Sequence, residues 1–190
     1  MNARPLYPEP ALLLEGSLKY VAVSDLHIGL ESEYSLKGID LAHSAVANEM
    51  SRRIRELAVA NNADGIILLG DLKHRVGSVS RQEWDEVPRF LTQLAGTAAV
   101  YLVPGNHDGS MMNLIPSDIR VASAAGMLIE DTLFLHGHSM PSDLRSGVKN
   151  IVMGHVHPIL RKKGSVVDGK PVWLYVEIDK SALFAGQKRD

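Results

Sequence analysis

The sequence of 190 residues contains no cysteine. This absence excludes disulfide scaffolds, thiolate zinc fingers, iron–sulfur clusters and enzymes with a cysteine nucleophile. A metal ion held by this chain must therefore take nitrogen or oxygen ligands, from histidine, aspartate, glutamate or asparagine. Long hydrophobic runs are also missing: stretches such as Ile66–Leu69 are far shorter than the roughly 20 residues that cross a bilayer. We therefore expect no membrane partner and, because the start lacks a signal-peptide pattern, a cytoplasmic protein.

Neither sign of charge predominates, since 20 Lys and Arg stand against 22 Asp and Glu, a formal net charge of −2. Proteins that bind nucleic acid through its backbone usually carry a clear excess of Lys and Arg. Nucleic acid therefore stays an open alternative as a partner, but the net charge does not indicate it. The length predicts one domain over residues 1–190, with a loose leader at residues 1–10 and a polar tail at residues 183–190. Self-association into a homo-oligomer is left open by the sequence.

Short apolar runs alternate with helical patterns in the first half of the chain. Three runs predict strands that are covered on both faces: Tyr20–Ser24, Gly65–Leu69 and Ala98–Val103. One helix is predicted between the first two runs, where apolar residues from Val46 to Leu57 recur at helical spacing. A second helix is predicted from the capping-box spacing of Ser80 and Glu83 up to Gly96, with a kink or a late start at Pro88.

The second half of the chain shows short apolar runs separated by turn residues, which predict a second sheet. The runs are Gly126–Ile129, Thr132–Leu135, Asn150–Met153 and Pro171–Val176. A short helix is predicted between Pro141 and Gly147. The sequence as a whole predicts an α/β fold of two facing mixed sheets with helices on the outside.

Polar side chains that suit metal ions follow the predicted strands. The segments are Asp25-Leu26-His27, Gly70-Asp71, Gly105-Asn106-His107-Asp108, His136-Gly137-His138 and Gly154-His155-Val156-His157. Ligands of open α/β sheets bind beyond the carboxyl ends of the strands, so we expect these side chains to converge. In extended backbone, residues two apart project to the same side, which predicts one centre for Asp25 and His27 and a similar geometry for His155 and His157.

The presence of five such segments in one chain is the argument for a shared site. A single Asp-x-His or His-Gly-His occurs often by chance, but a chain that carries five such segments at strand ends predicts one shared site. Asp71 stands alone after the central strand and is the natural carboxylate to bridge two ions, which together could clamp a phosphate group.

In this order, from Asp25 to His157, the five segments resemble the motifs of the calcineurin-like metallophosphoesterase family. The run Gly70-Asp71-Leu72-Lys73-His74 further resembles the small Icc-like branch, whose bacterial members include nucleases associated with DNA repair. The resemblance implies a four-layer αββα sandwich that binds two divalent metal ions. Mn is favoured, and Fe, Zn or Ni are alternatives.

The resemblance also implies roles for individual residues. The ligands of the first metal ion would be Asp25, His27, Asp71 and His157. Those of the second would be Asp71, Asn106, His136 and His155. His107 resembles the catalytic histidine and Asp108 would orient its ring, while His74, Arg75 and His138 would line the substrate side. The implied reaction is in-line attack on phosphorus by a hydroxide that bridges the two ions.

The expected function is therefore that of a metal-dependent phosphoesterase. A phosphodiester substrate, such as a nucleotide or nucleic acid, is favoured by the Icc-like resemblance. One alternative is a phosphomonoesterase that acts on small phosphorylated molecules. Another is a non-catalytic scaffold, since the retromer scaffold subunit shares this fold, although that subunit lacks the catalytic histidine that is present here as His107. A single structural metal ion is the third alternative.

Overall fold

A computed structural model describes residues 1–36, 43–141 and 147–179 of the chain. The chain divides into two compact units, Met1–Val156 and His157–Asp190. All helices and strands of the described residues lie in the first unit. None of the described helices combines the length and the apolar character that spanning a membrane would require.

The larger of two sheets in the first unit contains six strands, in the spatial order β1 to β6. They are β1 (Asn2–Pro5), β2 (Leu12–Glu15), β3 (Lys19–Val23), β4 (Gly65–Leu69), β5 (Ala99–Val103) and β6 (Arg120–Val121). Strands β1 to β3 pair antiparallel, whereas β3 to β6 pair parallel. The smaller sheet consists of β7 (Met127–Ile129), β8 (Thr132–Leu135) and β9 (Asn150–Met153), with β8 central. In it, β7 is antiparallel and β9 parallel to β8.

Helices connect the parallel strands of the larger sheet. Helices α1 (Glu31–Leu36) and α2 (His43–Ala60) follow β3, and α3 (Arg81–Ala95) follows β4. Helix α3 begins as the sequence predicts, because the Ser80 side chain accepts the N–H of Glu83 and the Glu83 side chain reciprocally accepts the N–H of Ser80. Pro88 neither delays nor ends this helix, which continues on both sides of it.

The side chains of the central strands alternate between two hydrophobic clusters. Val21 and Ile66 face helices α2 and α3, in a cluster that includes Ile54 and Leu91. The neighbouring side chains of the same strands, such as Ile67, pack with residues of the smaller sheet. The central strands are therefore covered on both faces, as their apolar runs predict.

The predicted α/β fold with two mixed sheets is confirmed. Helices cover one face of the larger sheet, and the smaller sheet covers the other. Most of the short helix predicted between Pro141 and Gly147 falls at residues 142–146, outside the described residues. The predicted tail at residues 183–190 also lies outside them.

Two predictions about secondary structure are wrong. Residues 1–10 are not a loose leader, because Asn2–Pro5 pair with Leu12–Glu15 as an edge strand. All four residues of that strand are exposed, so it lacks the apolar pattern by which a strand is recognised. The run Pro171–Val176 is apolar, but within the described part of the chain it forms only an isolated bridge between Pro171 and Ile159.

The packing of the two sheets predicts a large effect at Leu14, which is completely buried in the cluster between them. Leu14→Ala should lower the free energy of unfolding by roughly 2–5 kcal/mol, because it removes apolar contact and leaves a cavity. Denaturant unfolding followed by circular dichroism measures this loss. Leu18→Ala is the matched control, since Leu18 is 45% exposed, and it should change stability by at most about 0.5 kcal/mol. Equal losses in both variants would contradict this packing.

Candidate metal centre

The candidate site lies where the central strands end. Asp25, Asp71 and Asn106 follow the parallel strands β3, β4 and β5 within three residues, so they emerge at one edge of the larger sheet. His136 follows β8 directly, and His155 lies two residues beyond β9. Predicted ligands from both sheets therefore lie in the same region.

The backbone of these ligands is not extended. Asp25, His27, Asp71 and His155 have positive φ angles of 56°, 49°, 51° and 70°. The left-handed region is uncommon for residues other than glycine and persists only where the surrounding structure imposes it. The expectation that Asp25 and His27 lie in extended backbone is therefore wrong, but their ligand atoms do lie within 4.8 Å of each other, as one shared centre requires. Their backbone turns as soon as β3 ends.

Two glycines allow the ligand loops to approach one another. A Cβ atom added to Gly105 would lie 2.3 Å from the Oδ1 atom of Asp71, and one added to Gly70 would lie 2.6 Å from the ring of His136. Gly70 also has a positive φ of 77°. A side chain at either position would therefore displace a predicted ligand.

The Asp71 carboxylate is the centre of the cluster and is only 2% exposed. Its Oδ1 atom lies 3.2 Å from the Nε2 atom of His136 and accepts the backbone N–H of His107 at 2.9 Å. Its Oδ2 atom lies 3.9 Å from the Nε2 atoms of both His27 and His107. The two carboxylate oxygens thus face different histidines on two sides.

On the Oδ1 side, three atoms with lone pairs converge. The Nδ1 atom of His136 lies 2.7 Å from the carbonyl oxygen of Leu69, and because a carbonyl only accepts, this nitrogen carries the proton. In the neutral ring the lone pair of Nε2 therefore points toward Oδ1 of Asp71 and toward Oδ1 of Asn106, which lies 3.1 Å away, and in the charged ring Nε2 donates a hydrogen bond there. The Asp71, His136 and His155 side chains can together hold one ion. A divalent cation fits this set, since it would take the place of the Nε2 proton of His136 between a carboxylate oxygen, an amide oxygen and an imidazole.

Asp25 lies against this same side of the cluster. Its carboxylate accepts the backbone N–H of His155 at 3.1 Å and the hydroxyl of Ser24. Its Oδ1 atom also lies 3.9 Å from the Nδ1 atom of His136. Asp25 therefore fixes the loop after β9 to the loop after β3, in addition to its predicted part as a ligand.

On the Oδ2 side, three imidazole rings meet. The ring centroid of His27 lies 4.9 Å from that of His107 and 5.5 Å from that of His74. The ligand nitrogens of these three rings could also hold an ion. The Nδ1 atom of His107 contacts the carbonyl oxygen of His74, so Nδ1 carries the proton and Nε2 is the atom that faces Asp71 and the site.

The remaining residues expected on the substrate side are found at its margin. His138 is exposed, and its ring centroid lies 5.4 Å from that of His136. The Arg75 side chain is exposed, whereas its backbone N–H is held by Glu83 at 2.8 Å. Their contact with a substrate stays a prediction. His157 is the first residue of the second unit and has a left-handed backbone, and its part as a ligand also stays a prediction from the resemblance.

Asp108 contacts backbone rather than the His107 ring. Its buried carboxylate accepts the N–H groups of Leu72 and Lys73 at one oxygen and of Gly105 at the other, at 2.7–3.2 Å. The expected orienting partner of the His107 ring is replaced by the His74 carbonyl. Asp108 acts by joining the loop after β4 to the loop after β5.

Sequence reasoning missed the buried charges behind the site. Lys73 and Glu83 are both completely buried. The Glu83 carboxylate accepts the N–H groups of His74 at 3.0 Å and Ser80 at 2.6 Å. The capping-box spacing indicated one of these contacts, but Lys73 stands in a polar run that is typical of a solvated loop.

The pKa values around Asp71 follow from these contacts. Burial alone would raise the pKa of Asp71, but hydrogen bonds from His136 and from the His107 N–H outweigh it and lower the pKa to about 2. Burial alone would lower the pKa of His136, but its contacts with Asp71 and Leu69 raise it above its usual value. For His27, burial prevails and lowers the pKa. Asp71 is therefore ionised, as a metal ligand must be.

Comparison with known proteins identifies the family of the chain. The family model of the calcineurin-like phosphoesterases matches residues 18–180. The chain therefore belongs to the calcineurin-like phosphoesterases, and is a metal-dependent phosphoesterase by family.

Two solved structures are similar to this chain. One is a nuclease MPE of Pseudomonas putida, with 20% sequence identity and a TM-score of 0.54, over 87% of this chain and 78% of that one. The other is Yfce, a phosphoesterase from E. coli, with 19% identity and a TM-score of 0.44, over 76% of this chain and 74% of that one. The first likeness supports the fold described above.

The position of Asp71 predicts that its carboxylate is needed for metal binding. In metal-free protein, Mn²⁺ at about 100 times its Kd should add roughly 2.7 kcal/mol of stability, which raises Tm by on the order of 5–10 °C. Asp71→Asn should abolish this rise, because it removes the charge that faces both histidine groups. Differential scanning calorimetry with and without Mn²⁺ measures it. Asp118→Asn, a change at an exposed carboxylate, should keep the rise, and an undiminished rise in Asp71→Asn would contradict the assignment.

Proposed function

We propose that this protein is a binuclear phosphodiesterase. The observation that carries the proposal is the position of Asp71, whose Oδ1 atom faces His136 and whose Oδ2 atom faces His27 and His107. A carboxylate whose two oxygens face different histidines suits a bridge between two ions. The first ion would be held by Asp25, His27, Asp71 and His157, and the second by Asp71, Asn106, His136 and His155.

Mn is the favoured metal, with Fe, Zn or Ni as alternatives, because the ligands are oxygen and imidazole nitrogen only. When bound, such ions neutralise charge on phosphoryl oxygens and make water a competent nucleophile at neutral pH. Residues of the chain that are not ligands would then position the ester, contact it and transfer a proton.

His107 supplies the proton transfer in this proposal. Its Nδ1–H is engaged by the His74 carbonyl, so the ring is held and Nε2 is directed toward the site. From there Nε2 can donate a proton to the leaving oxygen or a hydrogen bond to the phosphoryl group. Arg75 and His138 lie at the exposed margin, where a guanidinium and an imidazole suit contact with phosphate.

A diester is favoured as substrate on two grounds. The Icc-like run at Gly70–His74 resembles a branch that includes nucleases, and the Pseudomonas putida protein of similar fold is itself a nuclease. The predicted ligands Asn106 and His155 are also exposed, so the site is open to an ester with two substituents. The net charge of −2 gives no added support to nucleic acid over a smaller nucleotide. A phosphomonoesterase is the alternative.

Substrate preference and the part of His107 can be tested together. With Mn²⁺, kcat/KM for bis-p-nitrophenyl phosphate should exceed that for p-nitrophenyl phosphate by about tenfold or more. His107→Ala should lower kcat for the diester by about 10²–10⁴ through loss of general acid catalysis, while metal content is kept. A preference for the monoester would reverse the order of the two substrates. No turnover of either ester by metal-loaded protein would instead support the scaffold alternative.

The number of ions is a separate prediction. Elemental analysis of Mn²⁺-loaded protein after gel filtration should give two ions per chain. Asn106→Ala should give close to one, because it removes an oxygen that faces His136. Asn113→Ala, at an exposed asparagine, is the matched control and should keep two. One ion per chain in both wild type and Asn106→Ala would support a single structural metal ion instead.

A further inference from the structure

Lys73 is a lysine with 0% of its surface exposed, next to the site but not a ligand in it. Lysine is almost never fully buried unless its charge is paired and its hydrogen bonds are made. The side chain of Lys73 therefore needs a structural or functional reason to lie inside the protein, and its contacts give one.

The Lys73 ammonium donates to three backbone carbonyl groups. It contacts the carbonyl oxygen of Arg75, that of Ser78 at 3.2 Å and that of His107 at 2.5 Å. An ammonium has three N–H donors, so all of them are used. The first two carbonyls belong to the loop after β4, and the third belongs to the loop after β5. One buried charge thus joins two loops of the site.

Two buried carboxylates surround this charge. Asp108 accepts the backbone N–H of Lys73 itself at 3.2 Å, and Glu83 accepts the N–H of Arg75 at 2.8 Å. Burial lowers the pKa of Lys73, whereas Glu83 and Asp108 act in the opposite direction and favour its charged form. The loop from Lys73 to Ser80 is therefore fixed by one cation and two anions, none of which is a predicted metal ligand.

These contacts constrain both the backbone and the ring of His107. The ammonium holds the carbonyl of His107, and so the backbone from which the ring projects. The same segment, residues 73–75, carries the His74 carbonyl that accepts from the Nδ1–H of the ring. A change in the distance between the two loops would move the ring of His107 relative to the carbonyl that orients it.

We propose that Lys73 is a positioning residue for His107, because its buried ammonium holds the loop that carries His107 against the loop that orients its ring. This inference rests on the proposed function of His107. Lys73 contacts neither the ester nor the metal ions, and acts through the backbone alone.

A double-mutant cycle tests this role. Lys73→Met keeps the length of the side chain and removes the ammonium, and should lower kcat for bis-p-nitrophenyl phosphate roughly 10- to 100-fold, as displacement of a catalytic group does. KM and metal content should change by less than about twofold. In a His107→Ala background, Lys73→Met should change kcat by less than about twofold, since the group that it positions is gone.

Further variants keep the test decisive. Lys149→Met makes the same change at a lysine whose side chain is 76% exposed, and should leave kcat unchanged. Lys73→Arg retains the charge and should recover part of the lost kcat. If thermal unfolding shows that Lys73→Met is not folded, the cycle is run with Lys73→Gln or Lys73→Arg. Failure of all three to fold would assign Lys73 to stability and overturn the inference.

The outcomes separate this inference from the proposed function. Equal loss of kcat in the wild-type and His107→Ala backgrounds would show that Lys73 acts independently of His107 and would overturn the inference alone. No effect of Lys73→Met on kcat would do the same. No effect of His107→Ala on kcat would instead remove the proposed role of His107, and with it the basis of this inference.

Discussion

The burial of the Asp71 carboxylate is the constraint on which the site depends. A charge that is only 2% exposed must be compensated by contacts, and here they come from a backbone N–H and three imidazoles. Gly70 and Gly105 have no side chains that would obstruct them. The strand ends turn immediately into left-handed backbone at Asp71 and at Asp25. Such conformations cost on the order of 1–3 kcal/mol each, so packing elsewhere must offset the cost. The two-sheet core supplies that packing.

Much of the fold was predictable because its signals are local. The runs at Gly65–Leu69 and Thr132–Leu135 contain the apolar residues that need cover on both faces, and the strands coincide with them. Ser80 and Glu83 indicate the start of α3 through contacts three residues apart. The candidate ligands were also predictable, because polar residues directly after buried strands are placed by the sheet itself. His136 and Asp71 meet for this reason, although 64 intervening residues separate them in sequence.

Other features depend on contacts that no local pattern encodes. The edge strand Asn2–Pro5 is exposed along its whole length, so its pairing partner and not its composition makes it a strand. The family resemblance implied that Asp108 orients the His107 ring, but its hydrogen bonds are with backbone at residues 72, 73 and 105. Lys73 appears polar and solvated in sequence. Only the convergence of Arg75, Ser78 and His107 carbonyls gives its ammonium a reason to be buried.

Asp71 and Asp108 lie close to each other but have different roles, because their surroundings differ. Burial raises the pKa of Asp108, whose oxygens are used by backbone N–H groups. Asp71 is also buried, yet its contacts with His136 and the His107 N–H lower its pKa to about 2. A metal ion that approaches Asp71 therefore meets a carboxylate that is already ionised at any pH well above 2. The same contact raises the pKa of His136, so a proton on that ring competes with the ion. Metal and proton therefore compete at an imidazole rather than at the Asp71 carboxylate, and an imidazole loses its proton readily near neutral pH.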